Sequence, residues 1–448
     1  MNSQHDQALN MLNGPTFKEA FLFWLKLGFI SFGGPAGQIS IMYEYLVEKK
    51  KWISPGKFSH ALNYCMLLPG PEAQQLATYT GWLLHGVRGG LAAGILFFLP
   101  SMLILLVLSI IYVTYGSLPW VKAIFDGLKP AIVAIVLLAM IKIGGRALKN
   151  YFHYIAAVLS FIAIYIFNVS FPLIILCVIL LSVIFIRYIR QHENRNSEKH
   201  DFASEAKPSE FYISESSVLP HTVFSVRNNV LFLLSGIILW LAPFMFYRIL
   251  QSDTIFWDTL SFFFTKAAFV TFGGAYAVLP YVAQYSVEKL QWLNSLQMLD
   301  GLALGETTPG PLIMVLAFVG FMAGYNHFGG SMIMGAAGLG LTTYFTFLPC
   351  FLFIFIGAPL IEKTAGQNRI KAVLDMVTAS VVGVILSLAI YLGKAVIIDP
   401  SAEFGVKFFP LLWIAISVFA LYKLKVNMIL WILVSGIAGL LWWLIIHT

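Results

Sequence analysis

Two short motifs that interrupt helices each occur twice in this chain. The first is Phe-Gly-Gly, in which glycine permits a positive φ, ends helices and lets another group approach the backbone closely. Free amide groups at the start of the following helix bind anions, and the helix dipole favours the negative charge. A tight turn or close helix packing is the alternative interpretation. The candidate anion-binding residues are Phe32, Gly33, Gly34 and Pro35 in the first copy and Phe272, Gly273 and Gly274 in the second.

The second motif, Pro-Gly-Pro, lies inside apolar segments. Each proline removes a backbone donor and clashes with the preceding turn, so a helix must break there. Free backbone at membrane depth is tolerated only where protein buries it or where it lines a water-filled cavity. The motif therefore predicts two discontinuous helices beside a substrate path, with a purely structural kink as the alternative. Its residues are Pro69, Gly70 and Pro71, and Pro309, Gly310 and Pro311.

Two lysines occupy equivalent positions in apolar segments, Lys26 and Lys266. A lysine in the middle of a membrane span costs several kcal/mol unless it is paired or faces water. These residues are therefore candidate cationic ligands for an anionic substrate. The alternative is an amphipathic helix that only resembles a span.

Two acids flank the broken helices, Glu72 and Glu306. An ionised carboxylate beside an oxyanion would repel it, so we expect one of them to take up a proton during transport. The alternatives are helix capping or an ion pair with one of the two lysines. Neutral polar side chains that line the same path are expected to be Asn63, Gln74, Gln75, Thr307 and Thr308.

The motifs belong to a longer duplication of the sequence. Residues 26–77 and 266–317 align without a gap at an offset of 240, with 16 identities in 52 positions. The match returns later at an offset of 249, where Asp126 aligns with Asp375. An odd number of spans separates the copies, which predicts an inverted repeat whose halves rock about a central site.

Composition sets the class of protein. The chain is 59% hydrophobic and 11% charged, whereas soluble domains carry about a quarter charged residues. Hydropathy predicts an all-α polytopic membrane protein of about 13 transmembrane helices, in two inverted-topology repeats with broken or re-entrant helices. The expected units are a first repeat at 1–187, a polar cytoplasmic linker at 188–227, a bridging helix at 228–250 and a second repeat at 251–448.

Loop charges predict the orientation. Lysine and arginine concentrate on one side of the predicted spans, which places the N-terminus in the cytoplasm and the C-terminus outside. Six lysines contradict this scheme because they would face outward: Lys49, Lys50, Lys51, Lys57, Lys122 and Lys129. Either the region 33–58 re-enters the membrane or its lysines capture anions.

Other functional classes have less support. The three cysteines suit neither a metal site nor a disulfide framework, and the histidines form no metal-binding spacing. We expect no cofactor, no metal and no enzymatic activity, because no pair of His or Asp residues lies at helical spacing within a span. The net charge of +7 reflects membrane topology, so no nucleic-acid partner is expected. A channel or a scaffold subunit is a further alternative.

Four stretches resemble the chromate ion transporter family, and the match covers nearly the whole chain. The resemblance implies an inner-membrane protein that exports chromate and confers chromate resistance, with a relation to sulfate, a tetrahedral dianion of similar size. A sulfate or other inorganic anion carrier on the same scaffold is the alternative. The expected partners are the transported anion and the lipid bilayer, and a homodimer is compatible with the sequence. The matching stretches are 32–36, 68–79, 271–280 and 300–311.

Overall fold

The computed structural model describes residues 14–184, 210–214, 217, 219–250, 253–361, 368–399 and 405–447. Most of the expected linker, 188–227, lies outside these residues. The described chain is built of α-helices and forms no strand beyond two isolated bridges. In the first half the helices are α1 Phe17–Ile30, α2 Gly34–Tyr43, α3 Pro55–Cys65, α4 Glu72–Tyr115, α5 Pro119–Ala147, α6 Tyr151–Tyr165 and α7 Phe171–Ile184.

A bridging helix leads into the second half, whose helices follow the same order. They are α8 Val226–Leu250, α9 Thr254–Val270, α10 Ala275–Gln284, α11 Ser295–Thr307, α12 Val315–His327, α13 Met332–Ile361, α14 Asn368–Ile397, α15 Phe408–Val418 and α16 Met428–His447.

Six helices of the described chain are long and apolar enough to cross a membrane: α4, α5, α8, α13, α14 and α16. Shorter apolar helices, including α6 and α7, accompany them. The all-α membrane-protein class is thereby confirmed. The count of about 13 crossings and the inverted relation of the repeats stay predictions.

The helices break at both types of motif. Turns around Gly33 and Gly273 separate α1 from α2 and α9 from α10. Pro-Gly-Pro separates α3 from α4, and α11 from the 3₁₀ turn Leu312–Met314 that leads into α12. Segments that hydropathy treats as single spans are therefore pairs of shorter helices, because hydropathy does not register a break in backbone geometry.

Matching positions of the two copies adopt matching local structure. The buried Trp52 and Trp292 each follow a residue with positive φ, 51° and 50° respectively. The Trp52 amide donates to the carbonyl oxygen of Leu46 at 2.8 Å, and the Trp292 amide donates to that of Ser286 at 2.9 Å. The duplication in the sequence is thus a duplication of backbone conformation.

The α1–α2 pair is a hairpin that returns to the face it left. The turn after α2 lies beside the start of α1, where Lys50 pairs with Glu19 at 2.7 Å. Lys51 pairs with Glu210, which precedes α8, also at 2.7 Å. Lys50 and Lys51 are therefore paired with carboxylates of the protein, and re-entry of the region 33–58 stays a prediction.

The two halves share one core. Helices α6 and α7 of the first half pack against α14 of the second, while α15 and α16 of the second half pack against α5 of the first. Helices α5 and α14, which align at the offset of 249, also contact each other. The outer helices of each half therefore pack against the other half.

Candidate functional site

The glycines of both Phe-Gly-Gly motifs adopt positive φ, as the sequence requires. The values are 87° and 73° at Gly33 and Gly34, and 79° and 91° at Gly273 and Gly274. An added Cβ would meet nothing within 4 Å at Gly33, Gly34 or Gly274. These three glycines are therefore required by the positive φ of the backbone and not by close packing, and they border open space.

Each motif leads directly into a helix without a side-chain cap. Gly33 is the residue before α2 and Gly274 the residue before α10, and neither helix start has a capping side-chain hydrogen bond. The first amides of both helices carry the partial positive charge of the helix dipole. The two helix starts are thus prepared for a negatively charged group.

The Pro-Gly-Pro motifs join the two copies reciprocally. The amide of Gly70 donates to the carbonyl oxygen of Thr271 at 2.6 Å, and the amide of Gly310 donates to that of Ser31 at 2.8 Å. These two hydrogen bonds are equivalent under the offset of 240. Each breakpoint of one copy therefore holds the end of the first helix of the other.

Both central glycines of these motifs are closely packed. A Cβ at Gly70 would lie 2.8 Å from Sγ of Cys350, and a Cβ at Gly310 would lie 2.9 Å from Cβ of Ser101. Ser101 and Cys350 are themselves equivalent under the offset of 249. At these positions the glycine allows helices to approach and also takes a φ of 123° or 95°.

A cavity of about 1060 Å³ lies where the hairpins of the two copies meet. Both Phe-Gly-Gly motifs contribute to its wall, together with α3, the end of α5 and the start of α14. Its glycine and polar lining residues are Gly33, Gly34, His60, Asn63, Tyr64, Glu72, Lys142, Arg146, Lys149, Gly273, Gly274, Tyr276, Asp375 and Thr378. Pro35 also lines it, as does Ala275, its counterpart in the second copy.

Three cations face this cavity from the end of α5 and the turn after it. Lys142 and Arg146 are one helical turn apart, so they lie on the same face of α5. Lys149 approaches Asp375 at 3.9 Å. Among the described residues, neither Lys142 nor Arg146 has an ion-pair partner within hydrogen-bonding reach. The sequence analysis used the lysines and arginines of loops and helix ends only as indicators of topology, although the spacing of four residues between Lys142 and Arg146 was a usable signal.

The two lysines expected as central ligands lie elsewhere. Lys26 on α1 and Lys266 on α9 are exposed at the outside of the protein and do not line the cavity. Each points away from the core because the opposite faces of α1 and α9 carry the buried aromatic residues. The structure therefore does not bring them together with the glycine motifs.

Of the two acids that flank the helix breaks, one lines the cavity and the other does not. Glu72 lines the cavity, and its carboxylate interacts electrostatically with the Arg146 guanidinium. Glu306 is 8% exposed and accepts a hydrogen bond of 2.6 Å from the hydroxyl of Tyr276, which does line the cavity. Only one of the two acids is therefore in direct reach of a substrate.

Most of the expected neutral ligands are engaged within the protein. Gln75 donates to the carbonyl oxygen of Pro69 at 2.7 Å, and Gln74 donates to the hydroxyl of Thr78 at 3.1 Å. The hydroxyls of Thr307 and Thr308 donate to carbonyl oxygens of α11. Asn63 lines the cavity, whereas the remaining expected residues do not: Phe32, Phe272, Pro69, Gly70, Pro71, Pro309, Gly310 and Pro311.

No group of three or more His, Cys, Asp or Glu side chains within the described ranges is arranged to hold a metal ion. The three cysteines form no disulfide.

Comparison with known proteins gives a consistent result. The model of the chromate transporter family matches residues 18–183 and 258–440. A chromate transport protein of Cupriavidus metallidurans is 28% identical over 86% of this chain and 85% of its own length. One of Pseudomonas aeruginosa is 29% identical over 96% and 92%. A probable chromate transport protein of Synechococcus elongatus is 26% identical over 98% of both chains. No solved structure matches significantly.

Proposed function

Because this chain belongs to the chromate transporter family, we propose that it is a secondary transporter that carries chromate across the plasma membrane. The relatives named as chromate transport proteins match it over most of both lengths. The observation that carries the proposal is the cavity between the copies, lined by both Phe-Gly-Gly motifs and by three cations. A cavity of about 1060 Å³ has ample room for a tetrahedral oxyanion with part of its hydration shell.

Three cations against the two carboxylates of Glu72 and Asp375 leave the formal charge of the cavity positive, which favours an oxyanion. Lys142, Arg146 and Lys149 supply positive charge, and the uncapped starts of α2 and α10 supply amide donors. Arginine in particular offers several donors in a plane, which suits tetrahedral oxyanions. The substrate is therefore held by side-chain cations on one wall and helix starts on another.

We propose an inverted-repeat arrangement for the two copies. Its support is the reciprocal pair of hydrogen bonds, Gly70 to Thr271 and Gly310 to Ser31. Contacts in which residue i meets j of the other unit, and j meets i, are characteristic of a two-fold relation. Broken helices that meet near the midplane at such an axis are typical of transporters with alternating access.

The path of the chain supports loading from the cytoplasm. His85 at the kink of α4 bonds the carbonyl oxygen of Pro15 at 2.9 Å, so the kink lies near the N-terminus. Helix α4 then crosses, and the 29 residues of α5 span about 43 Å on the way back, more than the bilayer core of about 30 Å. The cationic end of α5 therefore returns to the N-terminal side, which the loop charges assign to the cytoplasm.

Export of a dianion is favourable on this arrangement. With a negative interior, each charge moved outward gains about 2.3 kcal/mol per 100 mV. Two charges gain about twice that amount, so the potential alone can drive efflux and support chromate resistance. Sulfate is the alternative substrate, because it has the same charge and shape.

Transport into liposomes tests the proposal. Purified protein is reconstituted and uptake of labelled chromate is measured under an imposed potential, with unlabelled sulfate as the competitor. We expect saturable uptake that increases when the chromate-free compartment is positive. Flux that rises without saturation indicates a channel. In a parallel assay, uptake of labelled sulfate without uptake of labelled chromate assigns the alternative substrate.

A further inference from the structure

We propose that Arg146 and Lys142 form the oxyanion-binding site and that Glu72 is the internal anion that competes with the substrate for them. This inference rests on the proposed function. Both are exposed cations that line the cavity, and neither has an ion-pair partner among the residues that the structure describes, so both are available to an anionic ligand. Glu72 lines the same cavity and interacts electrostatically with Arg146.

The cationic site is not repeated in the second half. At the offset of 249, Lys142 corresponds to Tyr391 and Arg146 to Ala395. Tyr391 instead hydrogen-bonds Ser295 at 2.9 Å. Only the first copy therefore supplies the cations, although both copies supply a glycine motif. The cavity thus offers anions a charged entrance on one face of the protein.

Glu72 begins α4 directly after Pro71. An ionised Glu72 and a bound dianion contend for the same positive charge, so each weakens the hold of the other on Arg146. Removing the carboxylate should strengthen anion binding, whereas removing either cation should weaken it. These opposite signs separate a binding role from a structural one, since damage to folding weakens binding in every variant.

Equilibrium binding of chromate and of sulfate to the full-length protein, measured at about pH 8, tests the site. Arg146→Ala and Lys142→Ala should each raise the dissociation constant about tenfold, the usual effect of losing a charge-assisted contact. Arg146→Lys should retain part of the affinity, and Glu72→Gln should bind more tightly than wild type. The matched control is Lys122→Ala, which removes an exposed cation from the far end of the same helix.

The outcomes separate this inference from the proposed function. Wild-type affinity in Arg146→Ala and Lys142→Ala, with transport by the wild-type protein intact, overturns the site and leaves the function standing. Sulfate binding that depends on Arg146, without any chromate binding, upholds the site and overturns the proposed substrate. Weaker binding in Glu72→Gln overturns the competition between Glu72 and the substrate.

A different observation carries a second inference: a charged cluster around the buried Lys129 and Asp300 closes the face opposite the cavity. Lys129 on α5 is 6% exposed and contacts Asp126 at 2.8 Å and Asp300 at 3.5 Å. The hydroxyl of Tyr112 on α4 donates to Asp300 at 2.8 Å. The cluster thus ties two helices of the first copy to α11 of the second.

The duplication relates this cluster to the open cavity. At the offsets of 249 and 240, Asp126 corresponds to Asp375 and Asp300 corresponds to His60. Both of these counterparts line the cavity. On one face, Lys129 connects Asp126 with Asp300. On the other face, the equivalent residues Asp375 and His60 line the open cavity. We infer that the cluster is the closed gate of an alternating-access pair.

The strength of the cluster suits a gate that must open. Buried ion pairs gain little net stability, because the desolvation of both charges offsets their attraction. At 3.5 Å the Lys129–Asp300 contact is also longer than a well-formed hydrogen bond. Breaking it in exchange for hydration is therefore an accessible step in the transport cycle.

Thiol accessibility tests the gate in protein whose Cys65, Cys177 and Cys350 have been replaced. One reporter is Leu304→Cys, buried on the closed face beside the gate. The other is Thr378→Cys in the open cavity. Asp300→Asn should increase labelling of the first reporter several-fold and decrease labelling of the second, because opening one face closes the other.

The reciprocal change distinguishes gating from loss of structure. Unfolding increases labelling of both reporters, and that result, like unchanged labelling of both, overturns the gate. The control is Lys407→Gln, which breaks an ion pair of 3.1 Å with Asp399 whose lysine is exposed. It should leave both labelling rates at the wild-type values.

Discussion

The amide of Gly70 donates a hydrogen bond of 2.6 Å to the carbonyl oxygen of Thr271, in the other copy of the repeat. Its counterpart joins Gly310 to Ser31 at 2.8 Å. Each bond connects the break in one helix to the end of another from the opposite half. Movement of one half against the other therefore has to act through these junctions or pivot about them.

The Gly310 junction can be tested by crowding it. Gly310→Ala places a Cβ 2.9 Å from the Cβ of Ser101, and overpacking of this kind costs about 1–3 kcal/mol. We expect a lower melting temperature and slower chromate transport. Adding Ser101→Gly should restore part of both, because it removes the atom that clashes while the positive φ remains strained.

Gly145→Ala is the control for this series. Gly145 lies in α5, where an added Cβ would meet nothing within 4 Å, so this change should be neutral or slightly stabilising. Equal losses of stability and transport in Gly145→Ala and Gly310→Ala would mean that crowding at the Gly310 junction is not the cause of the loss.

Removing the charge of Lys26 or Lys266 tests whether these lysines bind the substrate, as the sequence predicted, although neither lines the cavity. Both side chains are exposed and outside the cavity lining. Lys26→Ala and Lys266→Ala should therefore leave the apparent affinity for chromate within about twofold of wild type, in contrast to the roughly tenfold change expected at Arg146. A concentration series of transport rates measures this difference, and a large loss in either lysine variant would restore these lysines as substrate ligands.

Glu306 should influence the pH dependence of transport through Tyr276. Glu306→Gln removes a group that can take up a proton, while Tyr276→Phe removes only its hydrogen bond of 2.6 Å. We expect both variants to change the pH profile of chromate transport, and the glutamine variant to flatten it. Thr307→Ser serves as the control, because that hydroxyl bonds only its own helix. Profiles that superimpose on wild type would exclude Glu306 from proton coupling.

Asp253 links stability to pH outside the membrane spans. Its hydrogen bond with His327, followed by one from the amide of Phe256, lowers the pKa of the Asp253 carboxyl below its usual value. A lowered pKa in the folded state stabilises the protein above the unfolded value of about 3.9, and this stabilisation is lost as the pH falls through the folded value.

The pH effect can be measured with Asp253→Asn, which keeps a good N-cap for α9 but removes the charge. Between about pH 6 and pH 3, the melting temperature of wild type should fall further than that of the variant. The difference should be about 1–2 °C, because exposed pairs contribute little. Parallel curves would show that the pair is energetically neutral.

The broken helices follow from local chemistry, which is why they were predictable. Proline lacks an amide and clashes with the previous turn wherever it stands, so Pro69 and Pro309 interrupt helices without reference to the rest of the fold. Glycine at 33 and 273 is compatible with positive φ, and both residues adopt it. The duplication also predicted that the breaks in the two copies are equivalent, because similar sequences adopt similar local backbone structure.

Tertiary structure decided which charges line the cavity. Lys26 and Arg146 both lie in apolar helices, and hydropathy alone favours Lys26 as the substrate ligand because it is the more central of the two. Which face of a helix meets the cavity depends on its packing partners, and α1 buries aromatic residues on the face opposite Lys26. Arg146 reaches the cavity because α5 passes between the halves and contacts α14.

By itself the sequence determined the membrane class, the duplication and the positions of the four breaks, since hydropathy, identity at a fixed offset and the geometry of proline and glycine are properties of short segments. Only the tertiary structure decided that Gly70 meets Thr271, that Lys142 and Arg146 face both glycine motifs, and that Lys129 pairs with Asp300. These contacts join residues far apart in the chain, and their distances depend on how every intervening helix packs.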